Sequence, residues 1–87
     1  MTAEHSYLFS YTEGIRCRIL CSDSLTDKEQ KVVQAGIDTA RQWYTGEPSF
    51  PSLVEIGLAI ELAHPPKDSR YRNPISSKLL RLEYYHL

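Results

Sequence analysis

The sequence predicts an α+β fold: a four-stranded antiparallel sheet in the order β-β-α-β-β, with one helix packed on one face. Three observations point there. Across residues 54–62, Val54, Ile56, Leu58, Ile60 and Leu62 alternate with Glu55, Gly57, Ala59 and Glu61, which is the period of a strand. Residues 7–21 alternate in the same way around Thr12-Glu13-Gly14, as a hairpin does. Between the two lies a single segment of helical period, opened by Thr26 and Glu29.

The register of the hairpin follows from its side chains, because a slip of one residue exchanges the two faces. A two-residue loop at Glu13-Gly14 would pair Phe9 with Arg18 and Tyr11 with Arg16. A three-residue loop, with Gly14 left-handed, pairs Tyr11 with Ile15, Phe9 with Cys17 and Tyr7 with Ile19. The second register gathers Tyr7, Phe9, Tyr11, Ile15, Cys17, Ile19 and Cys21 on one face, and it is the expected one. Four residues apart on a strand, Cys17 and Cys21 stand roughly 13 Å apart. A disulfide spans no more than roughly 7 Å, so both are expected as buried thiols rather than a bridge or a metal pair.

The helix is expected over 27–45. Thr26 and Glu29 have capping-box spacing, and Asp27 suits the positive end of the helix dipole. Val33, Gly36, Ile37, Ala40, Trp43 and Tyr44 form one apolar stripe, and Gly46, Pro48 and Pro51 end the run. Residues 54–62 admit a helix as well, since Ser52 and Glu55 imitate a second capping box. Winding would scatter the branched residues around the circumference, and Gly57 would cost about 1 kcal/mol in a helix interior. Five alternations without a break favour the strand.

Residues 64–77 then read as a long polar loop containing Pro65, Pro66 and Pro74. From Lys78 to His86 alternation returns, with Leu80, Leu82 and Tyr84 on one side and Leu79, Arg81, Glu83 and Tyr85 on the other. This predicts a last strand antiparallel to 54–62. Asn73-Pro74 can instead open a helix carrying Ile75, Leu79, Leu82 and Tyr85, which gives the alternative, ββα with a helical C-terminal half.

Eighty-seven residues, 41% hydrophobic and 24% charged, suit one soluble domain over 1–87 with a flexible start at 1–5. No run of about 18 apolar residues occurs. The first residues have no basic flank and no apolar core of signal type, so a cytoplasmic setting is expected. Charge is uneven: residues 1–63 hold five basic against nine acidic side chains, and residues 64–87 hold five against two.

No glycine-rich phosphate loop, nucleophile elbow or metal-binding motif occurs, so no catalytic residue, metal or cofactor is expected. Glu61, His64 and Asp68 offer only a weak hydrolytic or metal-dependent option. Two surfaces stand out instead. Lys67, Arg70, Tyr71 and Arg72 interleave cations with an aromatic ring. The sheet face away from the helix would carry Leu8, Leu20, Leu79 and Tyr85 beside Arg16, Arg18, Arg81 and Glu83, a composition enriched at protein interfaces. The expected function is a small non-enzymatic interaction module that masks a partner protein's surface, as an inhibitor or adaptor does. Its expected contacts are Arg16, Arg18, Lys67, Arg70, Tyr71, Arg72, Arg81 and Tyr85, and a second copy of the chain is among the expected partners. The alternative is nucleic-acid binding through residues 67–73 and the C-terminal strand.

Overall fold

A computed structural model describes residues 5–45, 49–68 and 73–87, and its elements follow the order β-β-α-α-β. They are β1 (His5–Thr12), β2 (Ile15–Cys21), α1 (Asp27–Gln42), α2 (Leu53–Ala63), a short 3-10 turn (Ser76–Lys78) and β3 (Leu79–His86). The strands make one antiparallel sheet in the order β1-β2-β3. α1 lies along β1, α2 lies along β3, and the helices pack on each other over one sheet face. The expected four-stranded sheet with a single helix is therefore corrected to three strands and two helices. His5 opens β1 opposite Cys21, while residues 1–4 of the expected flexible start lie outside the described residues.

In the hairpin, Tyr7 faces Ile19 and Phe9 faces Cys17, as the alternation requires. Nearer the turn, the register shifts between Ser10 and Thr12, so Ile15 sits opposite Thr12 rather than Tyr11. Tyr11 is the extra residue of this bulge and stays buried. Gly14 takes φ +83°, the left-handed region the turn demands.

α1 begins where expected. The Thr26 hydroxyl accepts from the Glu29 N–H, and the Glu29 carboxylate accepts from the Thr26 N–H. Its buried stripe is Val33, Gly36, Ile37 and Ala40. The helix ends at Gln42, and the expected stop at Gly46 lies outside the described residues. On its outer flank the Gln34 side-chain amide accepts from the Ser10 N–H at 3.1 Å and donates to the Ser10 carbonyl at 2.8 Å. The Arg41 guanidinium donates to the Tyr11 carbonyl. At both residues, side chains of α1 bond the backbone of β1 where a neighbouring strand would otherwise lie.

Residues 54–62, expected as a strand, coil into α2. The Ser52 hydroxyl accepts from the Glu55 N–H at 3.2 Å, and the Glu55 carboxylate accepts from the Ser52 N–H at 3.0 Å. Residues alternating along the chain advance about 200° per step on a helix, so the branched set divides into two stripes. Ile56 and Ile60 go to the core with Gly57 and Ala59, while Val54, Leu58 and Leu62 face solvent. The helices approach closely at Gly36, where a Cβ would stand 2.5 Å from Ile60 Cγ1. Removing the Ser52 hydroxyl (Ser52→Ala) is expected to lower stability by about 1 kcal/mol in urea denaturation.

The C-terminal strand forms, but it pairs with β2 and not with residues 54–62. The alternative of a helical C-terminal half matches in part: Leu53–Ala63 is a helix, but from Asn73 onward the described residues form only a single 3-10 turn, Ser76–Lys78, before β3. Asn73 explains why: its side-chain oxygen accepts from the Ile75 N–H and its amide donates to the His64 carbonyl, which fixes a tight turn. Glu61 on α2 holds the same turn, accepting from the Asn73 N–H and the Ser76 hydroxyl. At the start of β3 the register shifts, with Leu79 opposite Cys21 and Arg81 opposite Leu20. Leu80 is extra, so Leu79 turns into the core instead of onto the open face.

Both capping carboxylates titrate below the usual carboxylate range. For Glu29 the Thr26 backbone N–H is the main cause, aided by Lys78; for Glu55 it is the Tyr44 hydroxyl, then the Ser52 backbone. A carboxylate lowered in the folded state stabilises above its unfolded pKa, and that contribution is lost as pH falls through the folded value. Melting temperature is expected to fall below about pH 4.5, with a shallower decline in Glu29→Gln. Equal slopes for the two proteins would contradict this.

Candidate functional site on the open sheet face

The sheet face away from the helices is set by alternation in β1 and β2. Tyr7, Phe9, Cys17, Ile19 and Cys21 turn inward, so the residues between them turn outward. Register then arranges the outward side chains as a grid of three rows. Ser10, Arg16 and Tyr85 make the first; Leu8, Arg18 and Glu83 the second; Ser6, Leu20 and Arg81 the third. Three guanidinium groups and one carboxylate thus occupy one face of a chain whose net charge is −1.

Arg18, at the centre of this grid, is held on two sides. Its guanidinium donates to Glu83 Oε2 at 3.1 Å, and its Cζ lies 5.4 Å from the centre of the Tyr85 ring. Arg81 approaches Glu83 Oε1 at 3.4 Å. These pairs are partly solvated, so each contributes modestly to stability; their effect is to orient Arg18. Ser6, Arg18, Leu20, Arg81 and Glu83 line a shallow depression of about 300 Å³. Arg16 and the exposed Leu8 extend the surface on either side of Arg18.

The fold therefore brings together Arg16, Arg18, Arg81 and Tyr85 among the residues expected to contact a partner, with Leu8, Leu20 and Glu83. It does not bring Leu79 there. Lys67 is exposed in the segment after α2 and belongs to none of these strands. Arg70, Tyr71 and Arg72 lie outside the described residues. Of the weak hydrolytic set, Glu61 is engaged by Asn73 and Ser76, and the His64 N–H closes α2 on the Ile60 carbonyl. Cys17 and Cys21 are free and buried, and burial pushes the Cys17 thiol up to about 11, which leaves little reactive thiolate at neutral pH. Among the described residues, no group of three His, Cys, Asp or Glu side chains is placed to hold a metal ion. No described helix is long and apolar enough to cross a membrane.

A further surface was not anticipated. Val54, Leu58 and Leu62 form an exposed apolar stripe along α2, 78%, 49% and 67% accessible. Its signal was the i, i+4, i+8 spacing of three branched residues, which a strand reading counts as alternation.

No family model, curated protein or solved structure matches this chain.

Proposed function

We propose that the protein binds another protein through the open face of its sheet, masking an acidic surface of that partner as an inhibitor or adaptor would. The observation that supports the reading is the grid itself. Arg16, Arg18 and Arg81 stand on paired strands beside Tyr85, Leu8 and Leu20. Arginine and tyrosine are the residues enriched at energetic centres of interfaces. Strands hold them at fixed spacing, and Arg18 is already oriented by Glu83 and Tyr85, which reduces the entropy lost on binding. Two free thiols suit a reducing, cytoplasmic setting.

The same set of cations with an outward tyrosine also suits phosphates and a stacked base, which is the second reading. Capture from host extract on the immobilised protein, followed by mass spectrometry, separates the two. A protein partner is expected, with Arg18→Ala weakening its binding about 30-fold, as removing a central arginine typically does. An unchanged set of captured proteins in Arg16→Ala/Arg18→Ala would sink the protein-binding reading. A gel shift of single-stranded oligonucleotide that weakens steeply with salt would replace it with the second.

A further inference from the structure

We propose that β3 pairs through its outer edge with β3 of a second copy, antiparallel about a two-fold axis at Leu82, so that two sheets join into one of six strands. The inference is independent of what the open face binds.

Hydrogen bonding identifies the free edge. The Leu87 N–H donates to the Gly14 carbonyl at 2.8 Å, which makes Ile15 and His86 a non-hydrogen-bonded pair. Pairs alternate along an antiparallel ladder, so Arg81, Glu83 and Tyr85 direct their N–H and C=O groups at β2. Leu82 and Tyr84 direct theirs outward. Among the described residues, nothing hydrogen-bonds those outward groups, and β3 is an edge strand. The other edge is partly closed, because Gln34 and Arg41 bond to the backbone of Ser10 and Tyr11 at its turn-side end.

Charge fixes the register. Opposed residues of an antiparallel pair point to the same face, and a two-fold axis normal to the sheet keeps the open faces together. The axis must then fall on a residue. Placed at Tyr84 it leaves Arg81 and Glu83 with no charged partner, and placed at Arg81 or at Glu83 it sets that charge against its own copy, which is destabilising. Placed at Leu82 it sets Arg81 opposite Glu83 of the second copy, twice. Those positions are non-hydrogen-bonded pairs, whose Cα atoms approach to about 4.5 Å, the closer of the two spacings. Arg81 has a side chain 71% accessible, free to share the Glu83 carboxylate of the other copy. Leu80, 58% exposed in the bulge, comes opposite Tyr84.

The helix layer supplies the apolar area that an edge of backbone groups lacks. α2 is the helix that lies along β3, and its Ile56 and Ile60 face Gly36 of α1. Val54, Leu58 and Leu62 occupy the side turned away, and Val54 borders Ser77 and Leu79 at the start of β3. Joining the β3 edges brings the two α2 helices toward each other across the axis and covers this stripe, which no described residue covers.

Sedimentation equilibrium of the full chain tests this directly. The wild-type protein is expected to reach the mass of two copies as concentration rises; a single-copy mass up to the millimolar range overturns the proposal. Arg81→Glu and Glu83→Lys are each expected to weaken self-association about tenfold or more, since each sets two like-charged pairs opposite one another. Mixed in equal amounts they make both pairs opposite again, and a mixed dimer of near wild-type affinity is expected. Weakened variants that remain apart on mixing overturn the register. Should Glu83→Lys fold poorly for loss of its contact with Arg18, Leu80→Lys places a charge on the exposed edge of β3. It too is expected to raise the dissociation constant about tenfold, and full dimerisation of that variant overturns the edge pairing.

Discussion

Alanine at Ile60 is expected to lower the unfolding free energy by about 2–5 kcal/mol, the range for deleting a fully buried branched side chain. Ile60 has no exposed surface and packs against Gly36 of α1. For a domain of this size the loss is a large fraction of the total stability. The neighbouring glycine sharpens the test. Gly36→Ala gains about 1 kcal/mol of helix propensity, but it drives a methyl group against Ile60 Cγ1, 2.5 Å away. Overpacking of that kind typically costs about 1–3 kcal/mol, so the single change is expected to be destabilising. In an Ile60→Ala background the obstruction is gone, and the same change becomes neutral or favourable. A urea double-mutant cycle should therefore give a coupling of about 1 kcal/mol or more. Strict additivity would mean that the helices do not meet at this contact.

The second large effect is expected at Tyr84. Its ring stacks on Phe50 at 4.6 Å between centroids and 23° between planes, and it meets the Tyr11 ring edge-on at 5.1 Å and 74°. Its hydroxyl donates to the Pro51 carbonyl at 2.8 Å, tying β3 to the residue just before the α2 cap. Tyr84→Ala removes the ring and the bond, and about 3 kcal/mol of stability should go with them. Tyr84→Phe keeps the ring and should cost about 1 kcal/mol, the value of the hydrogen bond alone. Alkaline pH separates the same contributions. Burial first, and then the neighbouring acidic groups beginning with Cys17, raises the Tyr84 pKa well above its ordinary value. A group raised in the folded state stabilises fully below the unfolded pKa, near 10 for tyrosine. That contribution shrinks as pH rises beyond it. Stability should decline above about pH 10, less steeply in Tyr84→Phe; identical profiles would contradict the assignment.

The hairpin below its bulge and the start of α1 were legible because each had one arrangement that satisfied its residues. Only one register sends Phe9, Cys17 and Ile19 inward together, and Thr26 with Glu29 marks the helix start locally. Residues 54–62 misled for a definite reason. A surface helix usually reveals itself by a polar face, and here Val54, Leu58 and Leu62 make the outer face apolar. What remained was alternation. The Ser52 and Glu55 cap was readable all along, and it is the local bond pair that the folded chain makes. The outward face of the sheet was legible in β2 and in β3 beyond Leu80, where strict alternation holds. Leu79 was misplaced because a bulge shifts the count by one, and nothing in Lys78-Leu79-Leu80 announces it. The pairing of β3 with β2 depends on residues far apart in sequence, such as Arg18 and Glu83.

The bonds from the Gln34 amide to Ser10 bear on how far copies of this chain can add to one another. Association through identical strand borders ends at two copies when each molecule has one border to offer, whereas two such borders permit open-ended growth into fibres. By meeting both the N–H and the carbonyl of Ser10, Gln34, with Arg41 on the Tyr11 carbonyl, closes the turn-side end of the β1 border and shortens the length it can offer to another strand. Replacing Gln34 with alanine would lengthen the open part of that border, and slow fibril growth by concentrated Gln34→Ala protein, tracked by light scattering, is the outcome to expect.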